Sequence, residues 1–389
     1  MRRVVIILAA LVGSISASAQ TTMEQFLAAV EASNPTLQAA GEMASAEAYS
    51  ARIANNLADP HVGYEYGWNV PSESGTEQGL SVSQEFDFPT AYINRGRVAE
   101  GRVAAAESDL RALRAEILLE AQLGYMEYVT LDRTLQLKRE RADHSERAAE
   151  IFTRMANSGE VSLPDLSKAR HAAIAAREAV VMTQMELADK GAALRAMTGG
   201  EQVLPTDYTA QLVEPMEQML DTYLTSDPSL LSAKSREEAA TAELKVEKNM
   251  ALPKLSVGFT AKQGSGGNRV NAISSGISIP IFSSRSTVKR AAAEQRAASA
   301  EVRAVEVECR TRLEALYEQM AIIGESQQVL REMVDDGYPQ MLTRLLESGQ
   351  IGAVEYFSEL GSYYDAQESL LRLNFEADKV AAEINKIYL

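Results

Sequence analysis

The side chains best suited to chemistry are few. The 389 residues hold three histidines, His61, His144 and His171, and one cysteine, Cys309, which leaves little material for metal catalysis. A single cysteine excludes an intramolecular disulfide framework and a multi-cysteine zinc cluster. Cys309 sits among Glu306, Glu308, Arg310 and Arg312 and reads as a small helical residue. No Ser/His/Asp order, phosphate loop or HExxH appears. Glu-rich helices contain many accidental carboxylate pairs. The methionines sit mostly at helical spacing, which favours core positions over copper ligation. The expectation is a protein that is not an enzyme and needs no cofactor and no metal.

Charge and targeting narrow the class further. Lys+Arg number 38 against 54 Asp+Glu, so the formal charge of −16 argues against a nucleic-acid binder, which relies on excess positive charge. Arg2 and Arg3 precede an apolar run over 4–12, and Ala17-Ser18-Ala19 offers a small-residue cleavage site before Gln20. This is the pattern of a secretory signal peptide over 1–19, with too few apolar residues to span a bilayer as a helix. Removing the two arginines leaves 36 basic against 54 acidic residues, or 36 − 54 = −18. No later stretch is long and apolar enough for a transmembrane helix. An exported chain without a helical membrane anchor is expected.

The chain repeats itself. Met23-Glu24-Gln25-Phe26-Leu27 returns as Met216-Glu217-Gln218-Met219-Leu220, an offset of 216 − 23 = 193. The same offset joins Ser33-Asn34-Pro35 to Ser226-Asp227-Pro228, and Pro60 to Pro253. Farther on, Phe152-Thr153-Arg154 and Ser158-Gly159 return as Leu342-Thr343-Arg344 and Ser348-Gly349, at 349 − 159 = 190. Several matches in one order indicate a tandem duplication, with repeats over 20–210 and 211–389. In each, Asn or Asp followed by Pro starts a helix, and Pro60 or Pro253 stops it. Long Pro-free stretches follow over 91–163 and 281–338, rich in helix formers. Leu110, Leu113, Ile117, Ala121, Gly124, Tyr128, Leu131 and Leu135 step by threes and fours, a coiled-coil-like seam. Helices return over 165–198 and 353–389.

Between the helices lie segments of period two. Val62, Tyr64, Tyr66, Trp68 and Val70 alternate with polar or small residues, as do Leu80, Val82, Phe86 and Phe88 after a polar loop. In the second half, Leu255, Val257, Phe259 and Ala261 alternate, and then Ile273, Ile277, Ile279 and Ile281. The two hairpins, 61–88 and 254–282, carry the apolar-out, small-in pattern of transmembrane β-barrel strands. Their lipid-facing candidates are Tyr64, Tyr66, Trp68, Phe86, Phe88, Val257, Phe259, Ile277 and Ile279. Amphipathic hairpins also pack on soluble cores, so alternation alone leaves that alternative open. Four strands cannot close a barrel, and lipid tolerates no open sheet edge. A lipid-embedded sheet would be completed by other subunits about a symmetry axis, two giving eight strands and three giving twelve.

At this point the chain resembles the TolC-like outer membrane efflux proteins, the exit ducts of tripartite efflux pumps and type I secretion systems. The resemblance rests on two repeats of helix, β-hairpin, long helix, tip turn and returning helix. Its most specific pieces are the tips, Ser158-Gly159-Glu160-Val161-Ser162-Leu163-Pro164-Asp165 and Ser348-Gly349-Gln350-Ile351-Gly352-Ala353-Val354-Glu355. Lys168-Ala169-Arg170 and Ile277-Ser278-Ile279-Pro280-Ile281-Phe282 also fit the family. Gln84-Glu85-Phe86-Asp87-Phe88-Pro89 is similar to its heavy-metal cation branch.

The resemblance implies a mainly α fold with a membrane β-barrel. A homotrimer would build a twelve-stranded barrel in the outer membrane and a long α-helical coiled-coil barrel in the periplasm. It implies docking of a periplasmic adaptor (membrane fusion) protein, linked to an inner-membrane transporter, on Gly159, Glu160, Val161, Ser162, Gly349, Gln350, Ile351 and Gly352. It places Glu355 at a constriction-acid position, with Ser358 replacing the second acid beside Glu359. It makes Asp165 a tip acid whose usual partners are replaced by Leu346 and Ile351. Physically, a ring of Glu355 would favour cations, and three chains of this charge would give the duct a negative potential. Glu355 also suits a helix start simply through the dipole. The competing class is a periplasmic coiled-coil structural or adaptor protein, although an adaptor would carry one hairpin flanked by β-rich domains.

Overall fold

The computed structural model describes residues 21–68, 76–250, 252–264, 267, 269–279, 284–333 and 337–389. The signal-peptide pattern, Val70, Pro280, Ile281 and Phe282 lie outside them. The element order runs twice. The first pass is α1 (Met23–Ser33), α2 (Pro35–Ile53), β1 (His61–Trp68), β2 (Thr76–Phe86), α3 (Pro89–Ser158) and α4 (Leu163–Met197). The second is α5 (Met216–Ser226), α6 (Pro228–Asn249), β3 (Lys254–Gly264), β4 (Arg269–Ser278), α7 (Ser284–Met333), α8 (Tyr338–Glu347) and α9 (Ala353–Ile384), closed by a short 3-10 turn over Asn385–Tyr388.

Local chemistry sets these boundaries. The Asp227 carboxylate accepts from the Leu230 N–H at 2.9 Å and caps α6, with Pro228 in the first turn. The Asn34 amide instead donates to the Met197 carbonyl at 3.2 Å, tying the start of α2 to the end of α4. α7 ends at Met333 and α8 begins at Tyr338, where Pro339 in its first turn lacks the N–H that a through-running helix needs.

The chain divides into two compact units, and α3 contributes to both. Among the described residues, one unit comprises 21–35, Leu118–Leu212 and Gln319–Glu383. Its main core joins Leu137, Ile151 and Phe152 of α3 to Ala169 of α4, Leu342 and Leu346 of α8, and Tyr356, Leu360 and Tyr364 of α9. Elsewhere in this unit the buried Tyr125 hydroxyl serves as a backbone knot. It donates toward the Thr21 carbonyl at 2.7 Å and accepts from the Thr206 N–H at 2.8 Å.

The other unit comprises Thr36–Ile117, Val213–Glu318 and Ile384–Leu389. It holds the sheet, whose strands lie in the order β1-β2-β3-β4, all antiparallel. The β2–β3 ladder therefore joins the hairpin of the first pass to that of the second. Beside the sheet, α6 packs between α3 and α7. Ala242 and Val246 meet Val98 on one side, and Leu230 and Ala233 meet Val302 on the other.

Gly101 fixes how closely α3 approaches α6. A Cβ there would lie 2.9 Å from the Ala239 Cβ and 3.1 Å from its backbone. Gly101→Val is expected to force the helices apart and cost about 1–3 kcal/mol, read as a lower thermal midpoint. Gly324→Ala, where nothing lies within 4 Å, should be neutral or slightly stabilising.

Candidate functional site

Register decides which side chains share a face of the sheet. Tyr64 lies opposite Leu80, and Leu80 opposite Ala261. Val82 lies opposite Phe259, and Phe259 opposite Ile273. Phe86 lies opposite Leu255, and Leu255 opposite Ile277. One face thus carries Val62, Tyr64, Tyr66, Trp68, Leu80, Val82, Phe86, Leu255, Val257, Phe259, Ile273 and Ile277. Its apolar surface is open: Trp68 is 70 % exposed, Ile273 83 % and Ile277 67 %. A soluble protein rarely leaves so large a contiguous apolar face uncovered. Two of the expected strand residues fall elsewhere. Phe88 lies past the end of β2, where Pro89 begins α3, and Ile279 lies one residue past β4. Alternation in sequence continues beyond the last ladder hydrogen bond, so it overruns the strand end.

The opposite face is small and charged. Gly63, Gly79, Ser81, Ser83, Ser256, Gly258, Ser274 and Gly276 line it, and the rows are tight. A Cβ on Gly258 would lie 2.6 Å from the Ser274 Oγ, and one on Gly276 2.6 Å from the Ser256 Oγ. Small side chains allow this face to be the concave one. Glu65 and Lys262 pair at 3.1 Å across the intervening Gly79, which leaves room for the lysine stem. At the strand-to-helix junction, Asp87 binds Arg95 at 2.6 Å and Lys254 at 3.3 Å. Neither cluster was singled out from the sequence. The available signal was opposite charges on the polar phase of neighbouring strands, which gains meaning only with the register.

The tips share one geometry. Gly159 has φ +79 and Gly349 φ +69, left-handed values that only glycine adopts without strain. Glu160 N–H donates to Met155 O at 2.8 Å, and Gln350 N–H to Leu345 O at 2.9 Å. Each helix therefore ends in a Schellman turn. Ser162 Oγ accepts from the Asp165 N–H at 3.3 Å and donates to the Asp165 carboxylate at 2.5 Å. Asp165 is thereby engaged in capping α4. Leu346 is buried and Ile351 packs against the same core. In the second tip Gly352, Val354, Glu355 and Glu359 are exposed. Glu359 accepts from the Tyr338 hydroxyl at 2.7 Å. That bond raises the phenol's pKa above its usual range. Glu355 and Glu359, four residues apart on α9, share one helix face.

Long helices, exposed tip turns and a sheet with one apolar and one small face define the class of a membrane-embedded sheet carried on helices. Among the described residues no helix is long and apolar enough to cross a membrane, and no group of three or more His, Cys, Asp or Glu could hold a metal ion. The outer membrane efflux protein family matches residues 24–200 and 219–385, and the chain belongs to that family. It is an outer-membrane protein with its helices in the periplasm.

Several solved structures share the fold. A membrane protein from Pseudomonas aeruginosa aligns with TM-score 0.81 at 15% identity, covering 94% of this chain and 89% of that one. The CmeC outer membrane channel of Campylobacter jejuni gives TM-score 0.76 at 15% identity, covering 94% and 85%. CusC, described in terms of folding and transmembrane channel formation, gives 0.73 at 17% identity, covering 94% and 91%. No curated protein sequence matches.

The Asp87 junction yields a prediction. Burial by itself would raise its pKa, but the hydrogen bonds and charges of Arg95 and Lys254 outweigh it and hold the carboxyl below its usual range. A depressed folded-state pKa contributes stability that is complete above the unfolded value near 4 and is lost as pH falls through the folded value. Asp87→Asn should lower stability at neutral pH by about 1–3 kcal/mol. The gap to the parent protein should close as melting is repeated at progressively lower pH below about 4.

Proposed function

We propose that three copies of the chain form the exit duct of a tripartite efflux or type I secretion system. The duct passively conducts small-molecule or cation substrates delivered by a periplasmic adaptor and an inner-membrane transporter. The observation that carries this reading is the sheet. Its apolar face is exposed, its other face is small and polar, and β1 and β4 each pair on one side only among the described residues. Hydrocarbon leaves no unpaired strand edge satisfied. Three copies would supply twelve strands and a lumen lined by the small face.

In this duct Glu355 and Glu359 form acidic rings near the tip, and Asp165 holds the start of α4 beside them. The tips, with Gly159, Glu160, Val161, Ser162, Gly349, Gln350, Ile351 and Gly352, form the adaptor-docking surface. Tyr64, Tyr66, Trp68, Phe86, Val257, Phe259 and Ile277 face lipid. Phe88 and Ile279, past the strand ends, sit at the level where the sheet meets the helices. The transporter selects cargo, so the genes beside this one identify it.

Purified protein in planar bilayers tests the reading. The parent should conduct with cation preference, and Glu355→Ala should weaken that preference by several fold without loss of trimer. Unchanged selectivity would remove Glu355 from the pore, and recovery of the protein in a soluble periplasmic fraction would sink the channel. For the tips, Gly349→Leu should leave trimers intact and abolish efflux-dependent resistance. Normal resistance in that variant would count against docking there.

A further inference from the structure

Three helices of one unit, α3, α4 and α9, enclose a cavity that neither the sheet nor the tip turns account for. Its volume is about 280 Å³, at the small end of the range for ligand pockets. Its walls differ in chemistry. α3 supplies Lys138, Arg141 and Ser145, three and four residues apart and so on one helix face. α4 supplies four alanines from Ala172 to Ala179 at the same spacing, and α9 supplies Phe357, Leu360 and Gly361. One wall donates hydrogen bonds and the other two are hydrocarbon.

The donors of that wall are only partly used. Arg141 Nη1 donates to Asp365 at 2.8 Å, and Lys138 Nζ reaches Thr183 Oγ1 at 3.1 Å and Glu368 at 3.4 Å. A guanidinium carries five N–H donors, so Arg141 retains others. A Cβ on Gly361 would stand 3.5 Å from Arg141 Nη2, an ordinary contact, so glycine leaves room beside that edge of the guanidinium. Ser145 carries the decisive observation. It is 3 % exposed and lines the cavity, yet its hydroxyl makes no hydrogen bond within the protein. A buried hydroxyl without a partner is unfavourable until an acceptor enters.

We infer that this cavity binds a small organic carboxylate, a single aromatic ring or short alkyl chain bearing one acid group. The carboxylate accepts from Arg141 Nη2 and from the Ser145 hydroxyl, with the Lys138 charge one turn away. The ring lies against the alanines, Phe357 and Leu360, and displaces water from their apolar surface. A neutral solute would leave the donors without a charged acceptor, and an inorganic anion would leave the hydrocarbon walls wet. Both halves of the ligand are therefore needed. Because the ligand touches all three helices, its binding stabilises their packing by mass action. Every lining residue belongs to one unit of one chain, so the inference goes beyond the duct reading and stands independently of it.

Benzoate is the probe, titrated into the purified protein at neutral pH and followed by ligand-observed NMR. Benzyl alcohol and acetate serve as the two half-ligands. Benzoate should saturate at one per chain. Each half-ligand should bind at least about tenfold more weakly, since one lacks the charge and the other the buried ring. Ser145→Ala should weaken benzoate about tenfold. Ala176→Leu, which fills the cavity, should abolish saturable binding, with circular dichroism checking that helix content is kept. Ser145→Ala removes one oxygen and leaves the packing in place, so it decides the matter where the leucine disturbs the fold. Benzoate that fails to saturate, that binds Ser145→Ala as tightly as the parent, or that benzyl alcohol matches overturns the site. Retained binding in folded Ala176→Leu does so as well. Conductance of the parent protein is read separately, so this inference and the duct reading can each fail alone.

Discussion

In hydrocarbon an unpaired N–H or C=O at a strand edge has no solvent to satisfy it, and the rest of this molecule follows from that constraint. Four strands of 8 to 11 residues span a bilayer if tilted but cannot close on themselves. The β2–β3 ladder solves the problem inside the chain by pairing the two hairpins along ten residue pairs. The outer edges of β1 and β4 remain, and only further copies can supply matching strands. Symmetry is thus demanded by the sheet before the helices are considered.

Closure also dictates which residues line the two faces. A curled sheet crowds its concave side, so the inner positions are Gly, Ser and Ala, with Cβ positions already in contact across Gly258 and Ser274. Several of the charges admitted to that side are paired. Lys262 reaches Glu65 over Gly79, and Lys254 and Arg95 hold Asp87 where strand becomes helix. An unpaired charge in a narrow, low-dielectric passage would be far more costly than one in water.

Periodicity made the strands, the long helices and the doubled plan legible before any coordinates, because side-chain period and turn residues are local properties. The glycine tips were equally readable, since Gly159 and Gly349 each close a helix in the only conformation that serves a Schellman turn. What escaped was non-local. Strand ends are of this kind: Phe88 and Ile279 keep the alternation but lie past the last ladder bond, which depends on the partner strand. The start of α8 at Tyr338 is not legible from period, because Pro339 suits the end of one helical stretch as well as the first turn of the next. The Glu65–Lys262 pair is 197 residues apart in sequence, 262 − 65, and exists only through the register.

Duplication leaves two copies of each helix pair in one chain, and the copies need not be covered alike. Both α3 and α7 pack on α6, whereas the matching positions of α2, Ala39, Ala46, Tyr49 and Ile53, are exposed. Side chains are then the only freedom. Arg236 bridges Asp109 and Glu301, at 2.6 and 3.6 Å, where the contact is made once, during folding of a single chain. At the matching position of α2 the arginine's place is taken by Met43, which is exposed, so one backbone plan carries an ion-paired, covered row in one repeat and an open apolar row in the other. The repeats thus diverge in side chains while their helix starts, at Pro35 and Pro228, stay aligned.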